Sequence, residues 1–469
     1  MAGIIKCGAY IPLFRLGKET TGWDQKIEKA VANFNEDSIT MGVAAAFDCL
    51  GEMDRNLIDG LFFATTTCPY GEKLGAATLA VACDLRREIV TADYANSLRS
   101  GTLALRAAVD AVNAGSLNSV LVVVSDHRVP MPGTEFEPVF GDGAAAFLIG
   151  HMEEAAQIES QFSISDEMLD VWRPWDERFV YSWEDRFILT EGYLRVMSQV
   201  ISQFLEKQEL SIEDFSKVVF YAPDSRRLRQ LAKMLGIKMD EQVQDPLLDR
   251  MGNTGAAFAP MLLCSALEGA NPGERILLAS YGNGADVLLL RTTDQISHIA
   301  GKRGMKGHLK TKKILSSYDQ YLQWRGLSNV RGGGRRPQPR PPSAASIWRE
   351  QDNNIRFHGV KCLQCGYVQY PKQRVCTNCH AKDQFESVRF SDKKAEVFTY
   401  SMDYVTPHPN RPQVISVINF VGGGRTILLM TDYEMEEIQV GMPLEMTFRK
   451  LHTLGGIHNY SWLCMPVRN

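Results

Sequence analysis

The first two thirds of the chain alternate between two hydrophobic patterns: the three-to-four residue spacing of a helix, and short unbroken apolar runs bounded by glycine or proline. Helices are expected through ITMGVAAAFDCLGEM, where Asp37 or Ser38 can accept the free amide hydrogens of the first turn, and through TLALRAAVDAVNAG, which stops at Gly115. Strands are expected at LFFATTT after Gly60, at Ser119 to Ser125 (SVLVVVS), and at VFGDGAAAFLIG, KVVFYAP and RILLASYG. Apolar runs without polar alternation belong to sheets covered on both faces, so this order predicts an α/β fold up to about Leu290. The glycine- and proline-rich strand ends are where such sheets present ligand sites.

The pattern breaks at residues 326–345, GLSNVRGGGRRPQPRPPSAA, which carry too few apolar groups to pack and read as a linker. Its arginines offer phosphate contacts as the other reading, but no basic surface interleaved with aromatics accompanies them, so no nucleic-acid partner is expected. Beyond it, AEVFTYSMDYV, PQVISVINFV, RTILLMTDY and PLEMTFRK alternate with turns, as in a small β-barrel.

Between these regions, GVKCLQCGYVQYPKQRVCTNCH sets Cys362, Cys365, Cys376 and Cys379 in two CxxC pairs ten residues apart. That spacing brings four thiolates to the corners of a closed tetrahedron, the signature of a structural zinc ion that contributes folding energy and no chemistry. Four unligated thiols are the alternative. His380, directly after the last cysteine, is redundant as a ligand and is expected at the surface.

A length of 469 residues points to two or more domains. With 45% apolar and 23% charged residues, a formal charge of -4 and no apolar run near the roughly 20 residues of a bilayer span, no membrane association is expected. MAGIIKCGAYIPLFRLG lacks the features of a secretory signal, so the cytoplasm is the expected location. Cys7, Cys49, Cys68, Cys83, Cys264 and Cys464 are scattered, as buried small hydrophobes are in a reducing compartment.

Five segments carry a family resemblance: NEDSITMGVAAA (35–46), FGDGAAA (140–146), DVWRP (170–174), GNTGAA (252–257) and SYGNGADVLLL (280–290). Through them the first 325 or so residues resemble the 3-hydroxy-3-methylglutaryl-CoA (HMG-CoA) synthases of the thiolase superfamily. The resemblance implies two similar α/β halves in a five-layered αβαβα arrangement, a tunnel for a coenzyme A thioester, and a homodimer formed through the first half. The last 120 or so residues, through RFHGVKCLQCG, FTYS and VGMPLEMTF, resemble the zinc-ribbon and OB-fold family that accompanies thiolases. The expected organisation is therefore a thiolase-like domain over 1–325, a linker over 326–345, a helix and zinc ribbon over 346–390, and an OB-fold over 391–469. Fusion of the two families holds them at high effective concentration, which implies one shared acyl-CoA process.

Claisen chemistry in that family needs a cysteine nucleophile, a histidine and a glutamate. The family's register puts Leu98 at the cysteine, Thr66 at the glutamate and Tyr221 at the histidine, and no histidine lies between His151 and His298. A slipped register would offer Ser97 or Ser100 as nucleophile, whereas Cys68 and Cys83 read as structural. Asn253 matches a family residue that polarises a thioester carbonyl, or it simply makes a turn. Two functions follow. One is an acyl-CoA-binding subunit that has lost its own site and assembles with an active thiolase. The other is an autonomous acyl-CoA enzyme: a retro-aldol lyase using Tyr221, with Asn253 or Asp93 and Tyr94, or an acyltransferase whose nucleophile lies elsewhere.

Overall fold

The computed structural model describes residues 1–23, 27–328, 341–406, 408–410 and 412–468, so residues 329–340 of the expected linker lie outside the described residues. The chain divides into two compact units. The first comprises Met1–Asn33, Asp37–Ala80 and Leu85–Tyr318, and the second Phe34–Glu36, Val81–Asp84 and the chain from Asp319 onward.

The first unit is built on a mixed nine-stranded sheet. In one half, Gly60–Thr65 runs parallel to Ser119–Asp126, which pairs antiparallel with Gly143–Gly150, and that strand pairs antiparallel with Gly3–Tyr10. The other half repeats the scheme: Lys217–Phe220 is parallel to Arg275–Tyr281, followed antiparallel by Gly284–Thr292 and Ala156–Ser165. The halves join where Gly3 and Ile4 face Gln157 and Ala156. This duplication, invisible in the residues themselves, is carried by strand direction. Every residue of Ser119–Asp126 and Gly143–Gly150 is buried, which is why these strands read as unbroken apolar runs.

Asp37, rather than Ser38, caps the helix Ser38–Leu50: its carboxylate accepts from the Ile39 and Thr40 amides while its own amide donates to the Thr40 hydroxyl. This helix lies so close to Gly3–Tyr10 that a Cβ on Gly8 would stand 2.2 Å from the Cys49 backbone nitrogen, so only glycine fits there. The expected strand VFGDGAAAFLIG starts late, at Gly143. Gly141 runs against the Met251 carbonyl, where a Cβ would sit at 1.9 Å, and Asp142 turns inward to accept from the Ala32 amide at 2.7 Å. Those contacts pull the first residues out of the ladder. The edge strand Val90–Ala95 and the helix Arg195–Gln208 were not anticipated.

The second unit is small and mostly β. A five-stranded antiparallel sheet contains Ala395–Asp403, Gln413–Phe420, Arg425–Leu429 and Pro443–Leu454, as expected, and adds Ile457–Pro466. A three-stranded sheet of His358–Cys362, Val368–Gln369 and Phe385–Arg389 carries the cysteine knuckles. Phe357 stacks on Trp462 at 6.0 Å and meets Phe390 and Phe420, so an aromatic core joins the two sheets.

The four cysteine sulfurs all lie within 4.8 Å of one another, with Cys362 to Cys379 and Cys365 to Cys376 at 3.6 Å. Zinc bonded to four sulfurs at ~2.3 Å sets them ~3.8 Å apart, so the cage fits that ion. Each knuckle closes through an amide four residues past its first cysteine: Gly366 donates to Cys362 and His380 to Cys376. His380 thus occupies, with φ of 63°, the turn position that Gly366 fills with φ of 74°. It is exposed and outside the cage, as expected.

Two outcomes follow from this architecture. Gly8→Ala should lower stability by about 1–3 kcal/mol, read as a shift of the urea midpoint of the full chain, because the helix must back away from its strand. Atomic absorption should find about one zinc per chain, and Cys376→Ser should abolish it and open the segment 357–380 to protease.

Candidate functional site

Parallel strands end together, so Thr65 and Asp126 arrive at the same sheet edge. There Asp126 accepts from the Thr65 hydroxyl (2.9 Å), the Thr66 amide (2.6 Å) and hydroxyl (2.9 Å), the Thr67 hydroxyl (3.2 Å) and the Ala256 amide (2.7 Å). The chain reaches Asp126 from the far half only because residue 255 is glycine. Its φ is +62°, and a Cβ would stand 2.3 Å from the carboxylate.

A second anchor positions the start of the helix Ser100–Asn113. Asp286 accepts from the Arg99 guanidinium at 2.8 Å and from the Thr102 hydroxyl at 2.6 Å. Arg99 Nε and the Ser97 hydroxyl both donate to the Gly282 carbonyl, at 2.9 and 3.0 Å. Leu98 is thereby pinned beside Gly282, where a Cβ would come within 3.0 Å of the Leu98 amide.

Between these anchors lies a cavity of about 320 Å³, lined among others by Thr66, Leu98, Arg128, Asp170, Trp172 and Arg173. Arg128 is 4% exposed and its guanidinium lies 3.9 Å from the Phe140 ring centre. Burial pushes its pKa down, while Tyr221 and Asp126 favour the charged form. Burial pushes the Asp170 carboxyl up, against the Val171 amide that donates to it at 2.6 Å. Arg173 donates to the Thr66 carbonyl at 3.0 Å and the Glu177 carbonyl at 3.1 Å, tying the DVWRP segment to the end of the Gly60–Thr65 strand.

Thr66 and Leu98 share the cavity wall, and Tyr221 lies buried close to Arg128. Burial raises the Tyr221 pKa, with Arg128 and Asn253 pulling it back, so its phenol stays protonated at neutral pH. Asn253 is buried; its side-chain amide donates to the Ala222 carbonyl at 3.0 Å and accepts from the Gly255 amide at 2.9 Å, so it ties the turn at Gly255 to the residue after Tyr221. Ser97 is held by Gly282, and Ser100 is buried in the first turn of its helix. Asp93 accepts from the Gly75 and Ala76 amides at the start of the helix Gly75–Ala82, and Tyr94 packs on Phe62. Cys68 also lines the cavity, its thiol pushed up to about 11 by burial and by Asp93 and Asp126, while Cys83 is buried. Cys68 is therefore not a thiolate at neutral pH.

Arg128 and Asp126 were missed in the sequence. Their signal was Asp-His-Arg at the end of a buried apolar strand, a place where charge has no structural use unless it faces a site. Asp126→Ala strands five donors and should cost about 3 kcal/mol or more, with Asp126→Asn losing less, measured by urea unfolding followed by circular dichroism.

Family models match in three places: 3-oxoacyl-[acyl-carrier-protein] synthase III over residues 92–166, its C-terminal part over 205–289, and the ChsH2 rubredoxin-like zinc ribbon domain over 354–386. The hydroxymethylglutaryl-CoA synthase of Aeropyrum pernix is 31% identical over 70% of this chain and 96% of its own length, and that of Methanopyrus kandleri 28% identical over 68% and 96%. A crystal structure of HMG-CoA synthase complexed with CoA superposes with a TM-score of 0.63 at 21% identity, covering 69% of this chain and 89% of that one. The 3-oxoacyl-[acyl-carrier-protein] synthase III of Aquifex aeolicus gives 0.56 at 22% identity, covering 62% and 100%. On this evidence the chain belongs to the hydroxymethylglutaryl-CoA synthase family, with a ChsH2-type zinc ribbon domain that its cysteine cage fits appended on the same chain.

Proposed function

We propose that this protein binds an acyl-CoA in the cavity beside Leu98 without forming an acyl-enzyme, and works as one subunit of a complex with an active thiolase. The observation that carries the reading is the cavity wall itself: Leu98 and Thr66 stand where the resemblance implies a thiol and a carboxylate, and the nearest thiol, Cys68, is held protonated. The family's fold supports the acyl-CoA as ligand, and the fused zinc-ribbon and OB-fold-like module supports the thiolase as partner. The first half would supply the homodimer contact, for which the edge strand Val90–Ala95 is open on its outer side.

As a lyase the site would need a base to take the hydroxyl proton of a hydroxyacyl-CoA. Tyr221 is a poor one, because burial keeps it protonated, so the binding reading stands ahead.

Incubation of the zinc-loaded protein with short acyl-CoAs radiolabelled in the acyl group, followed by denaturation, should leave no label on protein and release no CoA. Addition of a purified active thiolase should start CoA turnover above that of the thiolase alone. Stable label on Ser97, Ser100 or a cysteine overturns the reading, and release of a ketone or aldehyde from a hydroxyacyl-CoA by the protein alone favours the lyase.

A further inference from the structure

After the strand Ala156–Ser165 the chain makes one long excursion before the helix Arg195–Gln208 begins. The two ends of the excursion are pinned together, because Arg195 donates to the Asp166 carboxylate at 2.8 Å, and the Asn283 side-chain amide holds the Met168 carbonyl at 3.2 Å. Asp170, buried beside Arg128, fixes the outgoing base. Beyond it the chain forms a ribbon of two very short strands, Val171–Trp172 against Tyr181–Ser182, with the rings of Trp172 and Tyr181 stacked at 6.2 Å. It returns through the π-helical turn Ile188–Leu194, a wider winding that recurs at functional hinges. Gly192 lets this turn rest on Tyr281, since a Cβ there would stand 2.8 Å from the phenol oxygen.

The ribbon is also the outer wall of the cavity, which Val171, Trp172, Trp175 and Val180 line. Trp175 is nevertheless 68% exposed at the mouth, and Trp183 and Phe187, which lie outside the lining, are 69% and 53% exposed. Such a concentration of apolar surface in water marks a segment that covers something. Trp175 already borders the cavity, so the contact it can gain is with what the cavity holds. The ties that reach the ribbon beyond its base are of kinds that open readily. Arg173 donates to the Thr66 carbonyl at 3.0 Å, Phe179 bridges Val129, and Arg227 pairs at 3.1 Å with Asp185, whose side chain is 72% exposed. Segments held in this way open at a far lower free energy than buried strands do. The acceptor for Arg173 is itself rigid, because the Thr66 amide and hydroxyl are fixed on Asp126.

We propose that residues 171–187 are a gating arm: it pivots between the base at Asp170 and the π-helical turn, is latched by Arg173 to the Thr66 carbonyl, and closes on the cavity's occupant through Trp175, setting how long the occupant stays. This rests on the acyl-CoA reading above and adds a conformational step to it. Arg173 is a positioning residue in this device, and no covalent bond is made or broken.

The test is hydrogen exchange of the full-length, zinc-loaded protein read by mass spectrometry, with butyryl-CoA as probe and its binding measured by titration calorimetry under the same conditions. Without ligand, amides 175–187 should exchange at least roughly tenfold faster than those of the strand Ser119–Asp126. Saturating butyryl-CoA should slow them by about fivefold or more, including 183–187, which a molecule in the cavity does not shield directly. Arg173→Met should lose most of that slowing and speed butyryl-CoA dissociation by about fivefold, with association changed less than about threefold, read by stopped-flow tryptophan fluorescence. Arg173→Lys, which keeps a donor for the Thr66 carbonyl, should recover part of both effects. Exchange over 175–187 as slow as in the central strand, or binding that leaves 183–187 unchanged, overturns the arm and leaves the acyl-CoA reading intact. Faster exchange throughout the first unit in Arg173→Met assigns that residue to general stability and overturns the latch. Absence of butyryl-CoA binding overturns the acyl-CoA reading and the proposal with it. The native-protein comparison stands even if a variant does not fold.

Discussion

The buried carboxylate of Asp126 holds the site together. It is the last residue of a central strand, and the five donors it collects come from the end of the neighbouring strand and from the turn that starts the helix Phe258–Leu267 in the other half of the sheet. The sheet brings two strand ends together, but only a shared acceptor fixes how Thr65, Thr66 and Thr67 leave the sheet. Without it the buried Thr65 hydroxyl and Ala256 amide would lose their acceptor, and the partly buried Thr66 and Thr67 would be left to solvent. Gly255 is part of the same constraint, because any side chain there would collide with the carboxylate. The cavity wall therefore follows from one ion and the groups obliged to satisfy it.

Much of this fold was legible in the sequence, for reasons that also mark where legibility ends. SVLVVVS announced a strand because both faces of the sheet are covered, and DSITM announced a helix start because Asp37 has amides to accept. Ile457–Pro466 was silent, since IHNYSWLCMP mixes polar and apolar residues in a strand whose first half is only partly buried. Val90–Ala95 was silent because an edge strand needs little apolar content. The late start of Gly143–Gly150 depends on Met251 and Ala32, each more than a hundred residues away, and no local pattern encodes such contacts. The site divides the same way. Family register singled out Thr66 and Leu98, which the structure sets on one cavity wall, whereas the burial and surroundings of Arg128 exist only once strands, loop and Phe140 are assembled.

The residues that keep the scaffold differ from those that do chemistry on it. Asp286, Gly282 and Arg99 brace the loop carrying Leu98, and they do so whether position 98 is a thiol or an isobutyl group. Nothing in that bracing depends on the reacting atom. Replacing a thiol by leucine at a buried position removes a polar group and adds apolar contact, so the exchange is tolerated by the fold. The same logic governs the second unit, where zinc and the aromatic core around Phe357 supply stability without an open coordination position.

Arg128 runs against that trend, which makes it informative. An apolar Leu98 costs the fold nothing, whereas a buried guanidinium burdens it, since burial pulls its pKa down. Phe140 offsets part of the burden: a cation over an aromatic face gains on the order of 2 kcal/mol when desolvated, less than the several kcal/mol that removing an ion from water costs. Asp126, occupied by threonines and amides, and Asp170, pushed up by burial, lie near enough to favour the charged form of Arg128 as well. The cavity wall thus sets a buried charge, Arg128, beside an apolar side chain, Leu98, and the two place opposite demands on the fold.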